Sequence, residues 1–130
     1  EKIFALEKSQ AAVNYLKENI RINKLAHKIV PLQGDVREVC KDFFGKCDRV
    51  IMPLPLQAKE FLELAVNCLR KKGIINYYSI GTEKNVFADA EKELQALKKI
   101  AEKYKIMHRQ IVLPYAPRKF KVRLDVWVEK

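Results

Sequence analysis

Glycine is scarce in this chain. Its 130 residues hold only four, Gly34, Gly45, Gly73 and Gly81, and no two of them form a G-x-G. A nicotinamide-binding fold needs a G-x-G-x-x-G turn so that backbone can approach a pyrophosphate, so that reading lacks its signature. Long apolar runs are missing too. Nothing nears the roughly 20 residues of a helical membrane span, and the N-terminus carries no signal-peptide pattern. Cysteine is limited to Cys40, Cys47 and Cys68. The count is odd and the Cys40–Cys47 spacing fits no zinc motif. These read as free, buried or half-buried thiols in a reducing cytosol. His27 and His108 have no partners at ligand spacing and read as surface residues, so no metal is expected. No Ser-His-Asp or Cys-His arrangement is visible.

What is present suits one compact, soluble domain spanning residues 1–130, with 48% hydrophobic and 32% charged residues. There are 26 Lys and Arg against 16 Asp and Glu, a net charge of +10. That excess favours a polyanionic partner, nucleic acid before membrane. A merely solvated basic surface fits equally, because the cations are spread over most of the chain.

Ile3-Phe4-Ala5-Leu6 reads as a buried strand, ended by Glu7. Ser9 is placed to cap the next helix, whose Val13, Leu16 and Ile20 share one face and which ends near Asn23-Lys24. Lys28–Gln33 is a second strand, broken by Gly34-Asp35. Val36–Phe44 reads as a short helix with Val36, Val39, Cys40 and Phe43 inward. Arg49–Met52 is a third strand, and Gln57–Leu69 a helix. Arg70-Lys71-Lys72-Gly73 looks like its C-terminus, with cations at the negative end and a glycine for positive φ. Ile74–Ile80 is a fourth strand, with one of Tyr77 and Tyr78 in the core. A long helix is predicted over about Val86–Lys103. Ile106–Leu113 and Lys121–Val128 are the last strands; in the second, Val122, Leu124, Val126 and Val128 alternate with polar positions. This order implies an α/β fold, a parallel sheet with crossover helices closed by an antiparallel pair.

In open α/β sheets, ligands sit beyond the carboxyl ends of the strands. Glu7 ends the first strand, Asp35 follows the second, and Pro53-Leu54-Pro55 ends the third. An acid at the first position accepts hydrogen bonds from both ribose hydroxyls; one at the second accepts from an adenine amino group. Together they describe an adenosine site. Two plainer readings stay open: Glu7 as a solvated carboxylate and Asp35 as a helix cap.

The segments KIFALEKSQAAVNYLKENIRINKL, IVPLQGDVREV, DRVIMPLPLQAKEFL, GIINYYSIG and PYAPRKFKVRLDVWV resemble the archaeal and eukaryotic tRNA guanine-37 N1-methyltransferases and their wyosine-pathway relatives. The resemblance covers nearly the whole chain with the motif order kept. It implies a Rossmann-like class I methyltransferase sheet, S-adenosylmethionine as cofactor, tRNA as partner and a cytoplasmic location. The cofactor set it implies is Glu7, Lys8, Asp35, Val36 and Pro53, with Glu7 on the ribose and Asp35 on the adenine. Pro53, Leu54 and Pro55 would flank the target base. The catalytic proton acceptor and the oligomeric state are not assigned.

The chain departs from that family pattern twice. Many members carry Asn at the position of Pro53, offering an amide to the guanine; some archaeal members, including those linked to wyosine chemistry, carry the same P-L-P. The family's first strand and glycine-rich loop are also absent. That strand belongs between those of Ile3–Leu6 and Val50–Met52. The chain is therefore expected to be the C-terminal portion of a longer catalytic domain, inactive by itself.

The basic run Arg118, Lys119, Lys121 and Arg123 has two readings: phosphate contacts to tRNA, or cations that guard a strand edge. Tyr115, close to Pro114 and Pro117, either stacks on a base or packs. Three functions follow: the methyltransferase; a non-catalytic, methyltransferase-like RNA-binding module; and a nicotinamide dehydrogenase domain, disfavoured by the β-β ending and the missing glycine motif.

Overall fold

The computed structural model describes residues Glu1–Lys130, which form two compact units, Glu1–Phe43 and Phe44–Lys130.

In the first unit, β1 (Ile3–Glu7) and β2 (Ile29–Gln33) pair in parallel, with Glu7 opposite Gln33. Parallel neighbours require a crossover, supplied by α1 (Gln10–Ile22). Ser9 starts α1 as predicted, its Oγ accepting the Ala12 N–H at 3.3 Å. Val13 and Ile20 are buried and Leu16 half-buried, which is the expected apolar face. The helix closes where Lys24 turns left-handed at φ 55°, bringing the Leu25 N–H to the Ile20 carbonyl at 2.9 Å. After β2, α2 (Val36–Val39) tightens into a 3₁₀ turn over Cys40–Phe43, so the predicted helix makes only one α turn. β1 is less buried than its apolar run suggests. Ile3 and Phe4 are 48% and 42% exposed, since β2 is the one strand beside β1. The Phe4 ring rests 4.6 Å from that of Phe43.

In the second unit, β3 (Cys47–Met52) runs parallel to β4 (Leu69–Thr82). β6 (Lys119–Glu129) is antiparallel to β4, and β5 (Lys103–Ala116) antiparallel to β6, giving the order β3-β4-β6-β5. The α/β class and its antiparallel ending match the sequence reading, with the strands divided between a two-stranded and a four-stranded sheet. The β6 alternation holds: Val122, Leu124, Val126 and Val128 are all 0% exposed. They share a core with Ile75 and Tyr77 of β4 and with Leu62 of α3 (Leu62–Cys68), Leu94 of α4 (Ala88–Leu94) and Leu97 of α5 (Leu97–Ile100). Burying each such aliphatic side chain contributes about 1.5–3 kcal/mol. β4 meets β6 without a break over eleven residue pairs, from Lys72↔Glu129 to Thr82↔Lys119. The β5 side is irregular, with register shifts at Ile106/His108, Ile111/Leu113 and Pro114/Ala116.

Some expectations are corrected. The helix predicted over Gln57–Leu69 is a 3₁₀ turn over Ala58–Phe61 followed by α3. Arg70-Lys71-Lys72-Gly73 is not a helix end but the start of β4. Arg70 pairs with Asp48 at 2.9 Å and Lys72 with Glu129 at 3.2 Å. Gly73 is needed for close approach and not for positive φ: a Cβ there would lie 2.9 Å from the Asp48 carbonyl oxygen. The helix predicted over Val86–Lys103 is split into α4 and α5. It stops because Ala101 is extended and the Glu102 N–H donates to the Glu129 carbonyl at 2.9 Å. Tyr77 is the core tyrosine, and Tyr78 is half-buried. None of the three cysteines forms a disulfide; Cys40 and Cys68 are buried and Cys47 is half-buried. No helix is long and apolar enough to cross a membrane.

Candidate functional site

The ends of β1 and β2 place two carboxylates together. The register sets Glu7 beside Gln33, and the Gly34 N–H donates to the Glu7 carbonyl at 3.0 Å. Gly34 has φ 148°, a backbone state that favours glycine. It turns the chain so that Asp35 begins α2. Glu7 Oε1 accepts the Ser9 N–H at 2.7 Å. Asp35 Oδ1 accepts the Arg37 N–H at 2.9 Å, so Asp35 is the cap of α2. Its Oδ2 lies 3.7 Å from Lys8 Nζ and 3.6 Å from Arg37 Nη1. The Arg37 N–H, then the charges of Arg37 and Lys8, hold the Asp35 carboxyl below its usual range. Val36 is the half-buried first residue of α2. Glu7, Lys8, Asp35 and Val36 therefore cluster in the first unit.

In the second unit, β3 delivers the proline corner. Met52 is buried at the strand end, whereas Leu54 and Leu56 are 66% and 70% exposed. Pro53, Leu54 and Pro55 line a cleft of about 500 Å³ with Leu56, Gln57, Leu113, Tyr115 and Lys121. The sequence reading missed Gln57 and Leu113, and no local signal marks them. Tyr115 does not pack into the core; it is 51% exposed.

The four basic residues separate. Arg118 stands at the β5–β6 turn with φ 58°, and Lys119 is exposed beside it. Lys121 Nζ lies 5.2 Å above the Tyr78 ring, a cation–π distance. Arg123 is committed within the fold: its Nη2 donates to Asp125 Oδ2 at 3.2 Å. Asp125 also accepts from the buried Asn76, whose Oδ1 receives Arg49 Nη1 at 3.0 Å. A second carboxylate cluster was not foreseen. Glu93 Oε2 accepts from the Tyr77 hydroxyl at 2.8 Å and from Ser79 Oγ at 3.0 Å, and Glu93 lines a cleft with Pro55 and Leu56.

Comparison with known proteins gives a consistent picture. Residues 1–109 match the TRM5/TYW2 methyltransferase domain family. The tRNA (guanine(37)-N(1))-methyltransferase Trm5b of Methanocaldococcus jannaschii is 38% identical over all of this chain, which spans 35% of that relative. The same organism's tRNA(Phe) (4-demethylwyosine(37)-C(7)) aminocarboxypropyltransferase is 34% identical over 98% of the chain, which spans 51% of that relative. The crystal structure of M. jannaschii TYW2 in complex with AdoMet superposes with a TM-score of 0.83 at 30% identity, covering 99% of this chain and 58% of that one. The chain thus spans between about a third and a half of the lengths of these two curated relatives.

Proposed function

This chain belongs to the TRM5/TYW2 methyltransferase domain family, and we propose that it supplies the adenosine-facing and base-facing parts of a tRNA-modifying, cytoplasmic enzyme. The reaction transfers the methyl of S-adenosylmethionine to N1 of guanosine, or of a wyosine precursor, at position 37. The observation that carries this reading is the carboxylate pair at adjacent parallel strand ends, Glu7 and Asp35, joined through Gly34.

The pair suits an adenosine chemically. Glu7 Oε1 is held by the Ser9 amide, which fixes the carboxylate and leaves Oε2 to accept from ribose hydroxyls. Asp35 is fixed by the Arg37 amide and kept ionised, so it accepts from the adenine amino group. Lys8 lies on the Asp35 side of the pair, and Val36 offers an apolar surface. S-adenosylmethionine supplies an electrophilic methyl on a sulfonium centre. The protein's contribution is alignment, worth several kcal/mol when a two-body reaction becomes effectively unimolecular. The Pro53-Leu54-Pro55 corner gives a stiff apolar wall whose proline nitrogens have no proton to donate. Arg118, Lys119 and Lys121 meet phosphates, with Arg123 further along the same strand β6, where Asp125 holds it.

A second outcome shares the same cofactor. One relative is named for aminocarboxypropyl transfer, and Pro53 lacks the side-chain amide that an Asn would offer a guanine. Titration with S-adenosylhomocysteine tests the common part. Binding is expected, weakened by Glu7→Ala and by Asp35→Ala; absence of binding would overturn the reading. The mass of the tRNA product then separates methyl from aminocarboxypropyl transfer, and tRNA substituted at position 37 tests the acceptor. A protein that binds both ligands and leaves the tRNA unchanged would be the non-catalytic module instead.

A further inference from the structure

We infer that Glu93 is a positioning residue for the transfer proposed above: from α4 it braces the strand ends that the Pro53-Leu54-Pro55 corner leaves. The reaction it serves rests on that proposal; the brace itself rests on geometry. The register sets Met52, the last residue of β3, beside Tyr77. Ser79 follows two residues along β4, on the same face of the sheet. Glu93 reaches both. Its Oε2 accepts the Tyr77 hydroxyl at 2.8 Å and the Ser79 hydroxyl at 3.0 Å. One oxygen thus ties α4 to the stretch of β4 beside the corner. The cleft that Glu93 borders extends to Pro55 and Leu56 of the corner itself.

Stability alone gives no reason for this arrangement. Tyr77 is fully buried and Ser79 is 3% exposed. Apolar groups in place of both hydroxyls and the carboxylate would cost little, whereas a carboxylate beside them has to be desolvated. What the three polar groups add is direction. Apolar contact is non-directional, but two hydroxyls converging on one oxygen specify a single placement of β4 against α4. The corner depends on that placement. Pro53 and Pro55 have no N–H with which to anchor it, and the Gln57 N–H reaches the Leu54 carbonyl only at 3.4 Å. Its position is therefore set by the strand it leaves and by the neighbour of that strand. A displacement of about 1 Å at a reacting centre costs about 100-fold in rate, so a brace at this distance from the chemistry acts on the transfer step.

The test uses the protein that carries this chain, with S-adenosylmethionine and tRNA. Rates are scaled to the fraction of molecules that bind S-adenosylhomocysteine, which removes any effect of misfolding. Glu93→Ala should lower kcat about 10- to 100-fold and leave KM for tRNA unchanged. S-adenosylhomocysteine affinity should also hold, because Glu7 and Asp35 are untouched. Glu93→Gln keeps an oxygen that accepts from both hydroxyls and should recover most of the rate. Tyr77→Phe combined with Ser79→Ala leaves Glu93 in place without its brace, and should match Glu93→Ala. Hydrogen exchange reads the brace directly. In Glu93→Ala the Leu54, Leu56 and Gln57 amides should exchange faster by more than the loss of global stability in urea explains. Either a wild-type rate or wild-type exchange in Glu93→Ala would overturn the inference. So would a Glu93→Gln enzyme as slow as Glu93→Ala, or a fast double variant, since Glu93 would then act through its own charge. A wild-type protein that binds S-adenosylhomocysteine and transfers nothing to tRNA would overturn the proposed function, and exchange alone would then decide the brace.

Discussion

The Gly34 amide donates to the Glu7 carbonyl at 3.0 Å, and that bond ties the two carboxylate-bearing strand ends into one rigid corner. Its geometry depends on a residue without a side chain. A Cβ on Gly34 would lie 2.5 Å from Val39 Cγ2, at a φ of 148°. Gly34→Ala is therefore expected to destabilise the protein by about 1–3 kcal/mol. It should also weaken S-adenosylhomocysteine binding. Urea unfolding and ligand titration on the same variant check both.

Asp35 caps α2, and the proposed function gives it a second duty towards the adenine; a substitution can separate the two. Asn caps a helix as well as Asp does, so Asp35→Asn should leave the thermal midpoint at neutral pH nearly unchanged. It removes the charged acceptor, and S-adenosylhomocysteine affinity should fall roughly ten-fold. The pH dependence has a definite sign. The folded carboxyl titrates lower than the unfolded one, because of the Arg37 amide first and then the Arg37 and Lys8 charges. Its contribution is present above the ordinary Asp range and is lost as pH falls through the lowered folded value. Wild-type stability should drop more steeply than that of Asp35→Asn across this acidic window.

Tyr77 and Ser79 both donate to the same Glu93 oxygen. Burial first, and the Glu93 hydrogen bond next, push the Tyr77 hydroxyl far above its ordinary pKa, so it stays a donor throughout the working pH range. Tyr77→Phe should cost about 1 kcal/mol. Tyr77→Phe with Ser79→Ala should cost more than the sum of the two, because the carboxylate then keeps neither donor. Additive values in chemical denaturation would refute the coupling.

Leu124 and Leu54 offer a contrast. Leu124 is fully buried in the β6 core, and Leu54 stands out from the proline corner. Leu124→Ala should destabilise by about 2–5 kcal/mol. Leu54→Ala should change stability by less than about 0.5 kcal/mol, with its effect confined to RNA binding. Calorimetry and RNA titration of the pair distinguish scaffold from surface.

How much was legible depends on whether the cause was local. The α1 face and the β6 alternation were readable because Val13, Leu16 and Ile20, and Val122 through Val128, follow the helix and strand periods. Ser9 was readable because a cap acts within three residues. Gly73 was misread because its reason is the Asp48 carbonyl on the neighbouring strand, a contact that sequence order conceals. The helix after Val86 was drawn too long because Glu129, far along the chain, takes the Glu102 amide. The strand-end rule set Glu7 and Asp35 at neighbouring strand ends, and the register puts them there. The grouping of Tyr115, Leu113 and Gln57 was not legible, since a one-residue bulge leaves no mark in composition or spacing.

The two sides of β6 differ in how they open. Its seam with β4 is continuous over eleven residue pairs, whereas its seam with β5 slips at three places. Hydrogen exchange should separate them: β6 amides directed at β4 should exchange only with global unfolding, and β5 amides near Met107, Val112 and Tyr115 by cheaper local opening. Tyr115 sits at one of those slips and the prolines on the other wall of the same cleft, so local opening of β5 would change the width of the cleft while the β4–β6 seam stays closed.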